Sequence, residues 1–522
     1  MKVASIKEMA KNDSAVIKNI GITDSLLMEN AGISAMNLLE QKLSPLAGKK
    51  FLIFCGIGNN GGDGLVLARQ LHAKRCAVKI MIVGNYQKYK SASKKNFNIV
   101  SHIKDIEIEN VIGASTKLQN SIIAADVVID AIFGIGINRN ISGVYLKIIK
   151  AINKHAKTVL SLDIPSGING DTGAIMGDAI CANFTINFGL LKRGTLLYPG
   201  FAHCGELYIS HISFPVSYSD DKKIKVSINE YIPLPTRQNT ANKRNVGNVL
   251  FIAGSANYYG APYLATAGFM RSGGGYARLA TVPAVIATVA TISPETVFLE
   301  MTPTKQGAIS LDNLEMLLEL CEDVSMAVIG SGISLDAEVQ KLAREFIKRA
   351  PCPILIDGDG ISAIVNNSNI LKKRKYSTII TPHTGEMSRL TGKSASLIES
   401  NRIKILQEAT KKNNSYIVLK GAHSLIGYPD GQVFINLSGD AGMATAGTGD
   451  VLTGVIAGMH GIGLEIPEAI RKGVYIHGLA GNIASKEKGE EGMIANDILE
   501  NIPNAIMADR KNGFNIHVIS II

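Results

Sequence analysis

The first half of the chain alternates short apolar runs, glycine loops and segments of helical spacing. FLIFC (51–55) leads into GIGNNGGDG, AVKIMIV (77–83) into GNYQKY, DVVIDAIF (126–133) into GIGINRNISG, and TVLSLDI (158–164) into PSGINGDTG. β-rich runs that alternate with helices predict a parallel sheet wound with helices, which is an α/β fold. A further helix is predicted before the first run, at DSLLMENAGISAMNLLEQKL (24–43).

The alternation stops at SYSDDKKIK (217–225) and at IPLPTRQNT (232–240), which carries two prolines, and a second series then begins. The new runs are NVLFIAG (248–254), MAVIG (326–330), CPILIDGDG (352–360), STIITPHTGE (377–386) and YIVLKGAHS (416–424). They predict a second α/β domain. We place the first domain at residues 1–215, the linker at 216–225 and the second domain at 226–522.

Length and composition agree with two ordinary globular domains. The chain has 522 residues, of which 46% are apolar and 19% charged, with a net charge of +10. The lysines are scattered, and the densest run, LKKRK (371–375), reads as a solvated face, so we expect anionic small molecules and not nucleic acid. No signal peptide, membrane-length apolar run or CxxC pair is seen, which predicts a cytoplasmic protein with free thiols and no membrane partner.

The first glycine loop spells GxGxxG after a strand, at Gly56 to Gly61. A dinucleotide-binding unit also needs an acidic residue about twenty positions later, but KIMIVGN (79–85) has none, which disfavours a nicotinamide dehydrogenase. The side chains of Asn59, Asn60 and Asp63 make the loop polar, and its glycines let backbone amides approach a phosphate.

Polar residues also follow the neighbouring strands of the first predicted sheet. Asp130 follows VVI, and Asp163 follows VLSL. Ligands of open parallel sheets bind beyond the carboxyl ends of the strands, so Asn60, Asp130, Asp163 and Ser166 are expected to converge there. Carboxylate, amide and hydroxyl oxygens suit a hard cation. The alternative is that Asp130 and Asp163 only cap the turns that follow them.

The second glycine loop, TAGTGDVL (445–452), lacks the lysine of a P-loop. Successive amides at Gly447, Thr448 and Gly449 can hold a transferring phosphoryl group at a helix start. Asp450 can then take the proton of a substrate hydroxyl. An aspartate stabilised by the helix dipole is the alternative, although a cap does not require so many glycines.

The motifs of residues 1–215 resemble the NAD(P)H-hydrate epimerase domain. They are MENAG (28–32), GNNGGDG (58–64), DAIFGIG (130–136), LDIPSGING (162–170) and NFGLLKRGTLLYPG (187–200). The resemblance implies a potassium ion at Asn60, Asp130 and Ser166, with Asp163 as acid/base. Lys192 is a weaker acid/base candidate whose ordinary role would be a surface or phosphate-pairing lysine. The implied substrate contacts are Asn59, Asn60, Gly61, Gly62, Asp63, Gly134, Ile135, Gly136, Ile137, Asn138, Arg139, Asn140 and Asp163.

Residues 226–522 resemble the ribokinase-like fold and, within it, the NAD(P)H-hydrate dehydratases. The motifs are GNVLFIAGSANYYGAP (247–262), VIGSGIS (328–334), LIDGDG (355–360), IITPHTGEMSRL (379–390), VLKGAHSLI (418–426) and GMATAGTGDVLTG (442–454). Two positions depart from the family pattern, with Asn242 in place of the usual His and Gly358 in place of a common Ala. The implied substrate contacts are Ala261, Gly332, His383 and Asp450, and the implied nucleotide contacts are Lys420, Gly421, Ala422, His423, Ser424 and Gly449. His383 alone would also suit a core or capping histidine.

Both resemblances together imply repair of hydrated NADH and NADPH, which carry a hydroxyl at C6. The first domain would interconvert the two C6 epimers, and the second would dehydrate the S form. Phosphorylation by ADP, with Mg²⁺ present, turns the hydroxyl into a good leaving group, and the products are AMP and phosphate. We expect a homo-oligomer, and leave ADP against ATP open. The rival functions are a small-molecule kinase fused to a nucleotide-binding domain and a non-catalytic nucleotide sensor.

Overall fold

The computed structural model describes residues 1–111, 113, 115–243, 245–512 and 519–521, and the chain divides into two compact units. The first unit contains Met1–Ile224 and the strand Ile519–Ile521, and the second begins at Lys225. The sequence alone assigns that last strand to the second domain, but it pairs in parallel with Glu206–Ser210 of the first unit. The predicted linker contains a short helix, Val216–Ser219.

The first unit is a parallel sheet with helices between its strands, as the alternating pattern predicts. The helix predicted at 24–43 is confirmed over those residues. The strands are β1 Val3–Ala4, β2 Lys50–Gly56, β3 Ala77–Val83, β4 Glu107–Asn110, β5 Val127–Ala131, β6 Val159–Leu162, β7 Phe184–Phe188, β8 Leu191–Lys192, β9 Glu206–Ser210 and, at the far end of the chain, β20 Ile519–Ile521. The helices are α1 Ile6–Ala15, α2 Asp24–Leu43, α3 Asn59–Ala73, α4 Ser91–Ser101, α5 Thr116–Ala124, α6 Gly143–His155 and α7 Val216–Ser219.

Eight strands form the main sheet of this unit in the order β20-β9-β7-β6-β5-β2-β3-β4, all parallel. The central strand β2 is buried along its apolar run because helices cover both faces of a parallel sheet. A separate two-stranded pair joins β1 to β8, with Val3 opposite Leu191 and Ala4 opposite Lys192. The first residues of the chain therefore fix the position of Lys192.

The second unit contains a ten-stranded sheet in the order β10-β19-β18-β17-β16-β15-β14-β11-β12-β13. Only β18 is antiparallel to its neighbours. The strands are β10 Val226–Ile228, β11 Asn248–Ile252, β12 Tyr276–Thr281, β13 Val297–Glu300, β14 Met326–Ile329, β15 Ile354–Ile356, β16 Thr378–Ile380, β17 Tyr416–Leu419, β18 Leu425–Gly427 and β19 Val433–Ile435. The helices are α8 Gly260–Arg271, α9 Pro283–Val289, α10 Leu314–Leu320, α11 Ala337–Arg349, α12 Gly358–Ile364, α13 Asn369–Lys372, α14 Thr384–Thr391, α15 Ala395–Ser400, α16 Arg402–Asn413, α17 Thr448–Gly461, α18 Ile466–Lys488 and α19 Ala495–Asn512.

Some glycines of α17 serve helix packing and not ligand binding. A Cβ on Gly454 would lie 2.1 Å from the Ala265 carbonyl oxygen of α8, and one on Gly458 would lie 1.8 Å from the Ser272 hydroxyl. Helices α17 and α8 therefore approach closely along this face. The glycine content of the 442–454 motif has a structural cause in addition to any catalytic one.

Helices α18 and α19 are joined by an ion pair inside the second unit. The Lys472 ammonium donates to both carboxylate oxygens of Asp509 at 2.6 Å, and the two side chains are 1% and 0% exposed. The six cysteines form no disulfide, and five are buried, as expected for free thiols. Among the described residues, no helix has both the length and the apolar character needed to cross a membrane.

Candidate active sites

The first unit has a cavity of about 1130 Å³ at the carboxyl ends of its central strands. Of the residues predicted to bind substrate, Asn59, Asn60, Asp63, Asp163 and the whole loop from Gly134 to Asn140 line it. Gly61 and Gly62 are instead buried against their neighbours: a Cβ on the first would lie 1.7 Å from the Gly56 carbonyl oxygen, and one on the second 2.5 Å from the Ser93 hydroxyl. Gly61 therefore lets the start of α3 approach the end of β2, and Gly62 lets it approach α4 and α2.

Asp163 and Lys192 form an ion pair in this cavity. The Lys192 ammonium donates to Asp163 Oδ1 and, at 2.5 Å, to the Phe188 carbonyl oxygen. Lys192 is 1% exposed and Asp163 14%, so the alternative of a surface lysine is wrong. Asp163 adopts a left-handed backbone conformation with φ of +64°, which is uncommon outside glycine. Strain at a residue that lines a cavity is frequent in active sites.

The buried Asn187 holds the backbone of both partners. Its amide nitrogen donates to the Asp163 carbonyl oxygen, and its amide oxygen accepts from the Lys192 N–H at 3.0 Å. Thr195 donates to the same oxygen at 3.0 Å. The position of the ion pair is therefore set by a network of buried hydrogen bonds, and not by the two charges alone.

The predicted cation ligands lie in the first turn of α3 (Asn60), near the end of β5 (Asp130) and in the turn after β6 (Ser166). Asp130 accepts from the Ser166 hydroxyl at 2.5 Å, the Ser166 N–H at 2.8 Å and the Ser161 hydroxyl at 2.9 Å. Burial raises the pKa of Asp130. The Asn60 side chain is buried, and neither its amide oxygen nor its amide nitrogen has a hydrogen-bond partner within the part of the chain that the structure describes. Asp130 thus organises this turn, while Asn60 offers an unused buried oxygen.

Two further carboxyl groups face the same cavity. They belong to Asp63, which is one of the predicted substrate contacts, and to Asp13 on α1. The sequence analysis does not identify Asp13 as a functional residue. Burial, reinforced by the Asp163 carboxylate, raises the pKa of Asp63 well above its ordinary value. Burial also raises the pKa of Asp13 to about 6; the Lys192 ammonium opposes this shift, and Asp163 adds to it.

In the second unit, polar residues follow three adjacent parallel strands, β15, β16 and β17. The Lys420 ammonium donates to Asp357 Oδ1 at 2.9 Å, and the Thr381 hydroxyl donates to the same oxygen at 2.6 Å. The Glu386 carboxylate lies 3.8 Å from the ammonium. Burial alone lowers the pKa of Lys420, but Asp357 and Glu386 outweigh it and the pKa is raised, so the amine stays charged. The family motifs drew attention to Lys420, whereas Asp357 and Glu386 were missed as functional candidates.

The glycine loop before α17 lies against this cluster. Gly447 has φ of +90°, and a Cβ on Gly449 would lie 3.1 Å from the Lys420 ammonium. Burial, reinforced by Asp357, raises the pKa of Asp450 to about 7. A carboxylate stabilised only by the helix dipole would have a lowered pKa, so desolvation dominates at Asp450. A base with a pKa near neutral suits proton abstraction from a hydroxyl.

The remaining predicted substrate residues fall into two places. Gly332 has φ of +66°, and a Cβ there would lie 3.4 Å from that of Ala261, so these two positions are neighbours. His383 caps α14: its Nδ1 accepts from the Gly385 N–H at 2.9 Å, while its own N–H donates to Glu386 at 2.8 Å. The capping alternative for His383 is confirmed, and the core alternative is wrong because its side chain is 57% exposed.

The predicted nucleotide loop, Lys420 to Ser424, rests on Arg402 of α16. Arg402 Nη1 donates to the Ala422 carbonyl oxygen at 2.8 Å, and a Cβ on Gly421 would lie 2.9 Å from Nη2. Arg402 is buried, and its Nε and Nη2 have no hydrogen-bond partner among the residues described. Sequence reasoning did not find Arg402, although a charged residue at the start of the apolar face of a helix was an available signal.

The two departures from the family pattern have local explanations. The Asn242 N–H donates to Asn245 Oδ1 at 2.8 Å, and the Asn245 N–H donates to Asn242 Oδ1 at 3.2 Å, which closes a turn. Gly358 has φ of +51°, and a Cβ there would lie 3.2 Å from the Gly330 carbonyl oxygen. Glycine relieves the strain at that position.

Two family models match the chain. Residues 25–194 match the YjeF-related protein N-terminus, and residues 249–504 match NAD(P)H-hydrate dehydratase. Among solved structures, ADP/ATP-dependent NAD(P)H-hydrate dehydratase from Bacillus subtilis, co-crystallised with ATP/Mg²⁺, is 28% identical with a TM-score of 0.46, covering 52% of this chain and 94% of that chain.

Curated relatives match most of the chain in both units. Three of them, each named bifunctional NAD(P)H-hydrate repair enzyme Nnr, come from Thermofilum pendens (42% identical, 88% of both chains covered), Moorella thermoacetica (35%, 88% of this chain and 87% of the relative) and Escherichia coli (29%, 89% and 87%). The first two relatives are more than 30% identical to this chain and match 88% of it, which is enough to assign the chain to their family. The chain belongs to the bifunctional NAD(P)H-hydrate repair enzymes.

Proposed function

We propose that the first unit interconverts the C6 epimers of hydrated NADH and NADPH, and that the second unit dehydrates the S form at the expense of ADP. The family supports both activities. The observation that carries the residue assignments is that each unit holds a lysine–carboxylate pair that is largely shielded from solvent near the carboxyl ends of its strands, Lys192 with Asp163 and Lys420 with Asp357. In an open parallel sheet this edge is where ligands bind.

In the epimerase site, the C6 hydroxyl leaves as water and the ring nitrogen lone pair forms a C=N bond, giving an iminium cation. Water then adds to the other face of C6. Asp163 takes or gives one of the protons, and Lys192 holds its carboxylate in place. The loop from Gly134 to Asn140 and the residues Asn59, Asn60 and Asp63 bind the nucleotide around this centre.

In the dehydratase site, Asp450 takes the proton of the C6 hydroxyl while that oxygen attacks the β-phosphorus of ADP. AMP leaves, and the amides of Gly447 to Gly449 together with Lys420 hold the transferring phosphoryl group. The ring nitrogen lone pair then expels phosphate from C6, and loss of a proton from C5 restores the dihydropyridine. Ala261, Gly332 and His383 bind the hydrated nucleotide, and Gly421 to Ser424 bind ADP.

Two cations fit the residues present. The unpaired buried amide oxygen of Asn60 suits K⁺, and we propose that Asn60, Asp130 and Ser166 hold it. Asp357 and Glu386 suit Mg²⁺, which proteins usually hold through one or two carboxylates plus substrate phosphates. When bound, each cation offsets the charge of the nucleotide phosphates. We further expect a homo-oligomer in the cytoplasm.

The test is the return of NADH absorbance from a mixture of both hydrate epimers with Mg²⁺ and either ADP or ATP. We expect full recovery by the native protein with ADP. Asp163→Asn should recover only the S form rapidly, and Asp450→Asn should recover nothing. An equimolar mixture of the two variants should recover both epimers, because each supplies the activity that the other lacks.

Failure of both nucleotides to support recovery, with the protein folded, would contradict the assignment. Net phosphoryl transfer to a stable alcohol would then favour the small-molecule kinase. If ATP works and ADP does not, the repair activity stands and the assigned co-substrate is wrong.

A further inference from the structure

Four of the charged groups that line the epimerase cavity act on one another: the Lys192 ammonium and three carboxyl groups. Lys192 is paired with Asp163, while Asp13 and Asp63 line the same cavity. Lys192 is the cation that acts on both Asp13 and Asp63. Three carboxylates around that one ammonium would repel one another in a partly desolvated site, which favours a proton on one of them. The site therefore holds both a carboxylate and a carboxylic acid, which are the two partners that an epimerisation through a planar cation needs.

Helix α1 is fixed against the rest of the unit at both ends. At its start, the Ile6 N–H donates to Asp171 at 2.7 Å and Glu8 pairs with Arg193 at 2.8 Å. Near its end, the Asn12 amide donates to the Tyr218 carbonyl oxygen at 2.9 Å. Asp13, the next residue, lines the cavity. Its position is therefore rigid with respect to Lys192, as a proton-transfer group requires.

Building on the proposed function, we infer that Asp13 is the second acid–base residue of the epimerase, acting on the opposite face of C6 from Asp163. In one direction Asp13 donates its proton to the departing hydroxyl, the C6–O bond breaks, and water forms. A second water adds to the other face, and its proton goes to Asp163. The reverse reaction exchanges these roles, so the pair carries one proton in either direction and the net reaction consumes none.

Asp13 suits this exchange better than Asp63. Its pKa of about 6 lies near neutral pH, so it both gives and takes a proton, whereas burial holds the pKa of Asp63 well above its ordinary value and disfavours its carboxylate form. The charged groups that bear on Asp13 are Asp163 and Lys192 from the strand ends and Asp63 from α3. Asp24 and Arg139 line the same cavity, and Glu8 on its own helix is neutralised by Arg193.

The experiment follows NADH recovery from the mixed epimers by the full-length protein with ADP and Mg²⁺. The fast phase reports dehydration of the S form, and the slow phase reports epimerisation above the spontaneous rate. Asp13→Asn should slow the second phase by about 100-fold or more and leave the fast phase unchanged. Asp13→Glu should recover part of the rate. Asp220→Asn, which removes an exposed carboxylate from the same unit, should match the native protein.

A pH profile separates chemistry from folding. In the native protein the second phase should fall as pH rises above about 6, because the shared proton is lost, and the residual rate of Asp13→Asn should lack that limb. The inference would be overturned if the second-phase rate of Asp13→Asn stayed within threefold of the native rate. It would also be overturned if that rate were lower but still fell as pH rises above about 6. Asp163→Asn is measured alongside. If its second phase is as fast as that of the native protein, the proposed epimerase site is wrong. If Asp163→Asn loses the second phase and Asp13→Asn keeps it, only the role of Asp13 is refuted.

If Asp13→Asn does not fold, Asp13→Glu decides the question. If residue 13 carries the proton, the pH at which the second-phase rate falls must differ between Asp13→Glu and the native protein.

Discussion

Lys420 and Asp357 are joined by a 2.9 Å hydrogen bond at the end of two strands whose last residues are more than sixty positions apart in the chain. The same ammonium would lie 3.1 Å from a Cβ on Gly449. One lysine therefore connects the acidic cluster after β15 with the glycine loop before α17. A phosphoryl group held by that loop would meet Lys420 directly.

Replacing this lysine should slow dehydration strongly without affecting epimerisation. We expect Lys420→Met to lower kcat for dehydration by about 10²–10³-fold, because a fixed charge on the transferring group is lost. NADH recovery from the S epimer measures this effect. The control is Lys412→Met, an exposed lysine on α16. Recovery within tenfold of native would show that Lys420 does not contact the phosphoryl group.

Asp450→Asn should inactivate the dehydratase and stabilise the fold. The pKa of Asp450 is raised from 3.8 to about 7, so the folded state disfavours the carboxylate. This group's contribution to stability is complete below pH 4 and is lost as pH rises through 7. Asn avoids that loss, which amounts to at most roughly 4 kcal/mol.

Thermal unfolding at several pH values measures the difference between Asp450→Asn and the native protein. The variant should have a Tm several degrees higher at pH 8 and an equal one at pH 4. An equal Tm at both pH values would show that Asp450 is not desolvated.

Arg402→Met should weaken nucleotide binding more than catalysis. Arg402 donates to the Ala422 carbonyl, so its loss frees residues 421–424, while the hydrogen bond to Asp357 still holds Lys420. We expect KM for ADP to rise about tenfold, with kcat within threefold. Steady-state kinetics with varied ADP measure both constants. Arg344→Met, at a helix position outside this loop, is the control. A fall in kcat at unchanged KM would contradict the supporting role.

The Lys472–Asp509 pair should respond differently to single and double replacement. Lys472→Met leaves a buried carboxylate without its partner and should cost about 3–5 kcal/mol in the free energy of unfolding. Adding Asp509→Leu should restore most of that loss, because an apolar pair needs no compensating charge.

Urea unfolding of the full chain measures both effects. The matched control is Arg349→Met, which breaks the exposed pair with Glu315 and should cost less than about 1 kcal/mol. If Lys472→Met lowered the free energy of unfolding no more than Arg349→Met does, Asp509 would have to be reached by water or to take up a proton.

Local patterns predict the elements of this chain well. The helix at 24–43 has the predicted limits, and Asp130 and Asp163 lie at the ends of β5 and β6 as their apolar runs indicate. The position of Asp450 in the first turn of a helix also follows from the glycine loop before it. Each of these features depends on residues that are neighbours in sequence.

Features that depend on distant residues were missed. Lys192 is buried because β8 pairs with β1, almost 190 positions earlier. Asp13 faces the cavity because of contacts at residues 171, 193 and 218. Likewise, the sequence does not tell which glycines of 442–454 approach a ligand and which approach α8, since both kinds need the absence of a Cβ.

The pairing of β1 with β8 makes the amino terminus part of the epimerase centre. Residues 3 and 4 lie beside Leu191 and Lys192, and Asp13 follows within three helical turns, although the family model begins only at residue 25. A fragment trimmed to the family limits would lack both. Measurements on this enzyme should therefore keep residues 3 to 24, which lie outside those limits.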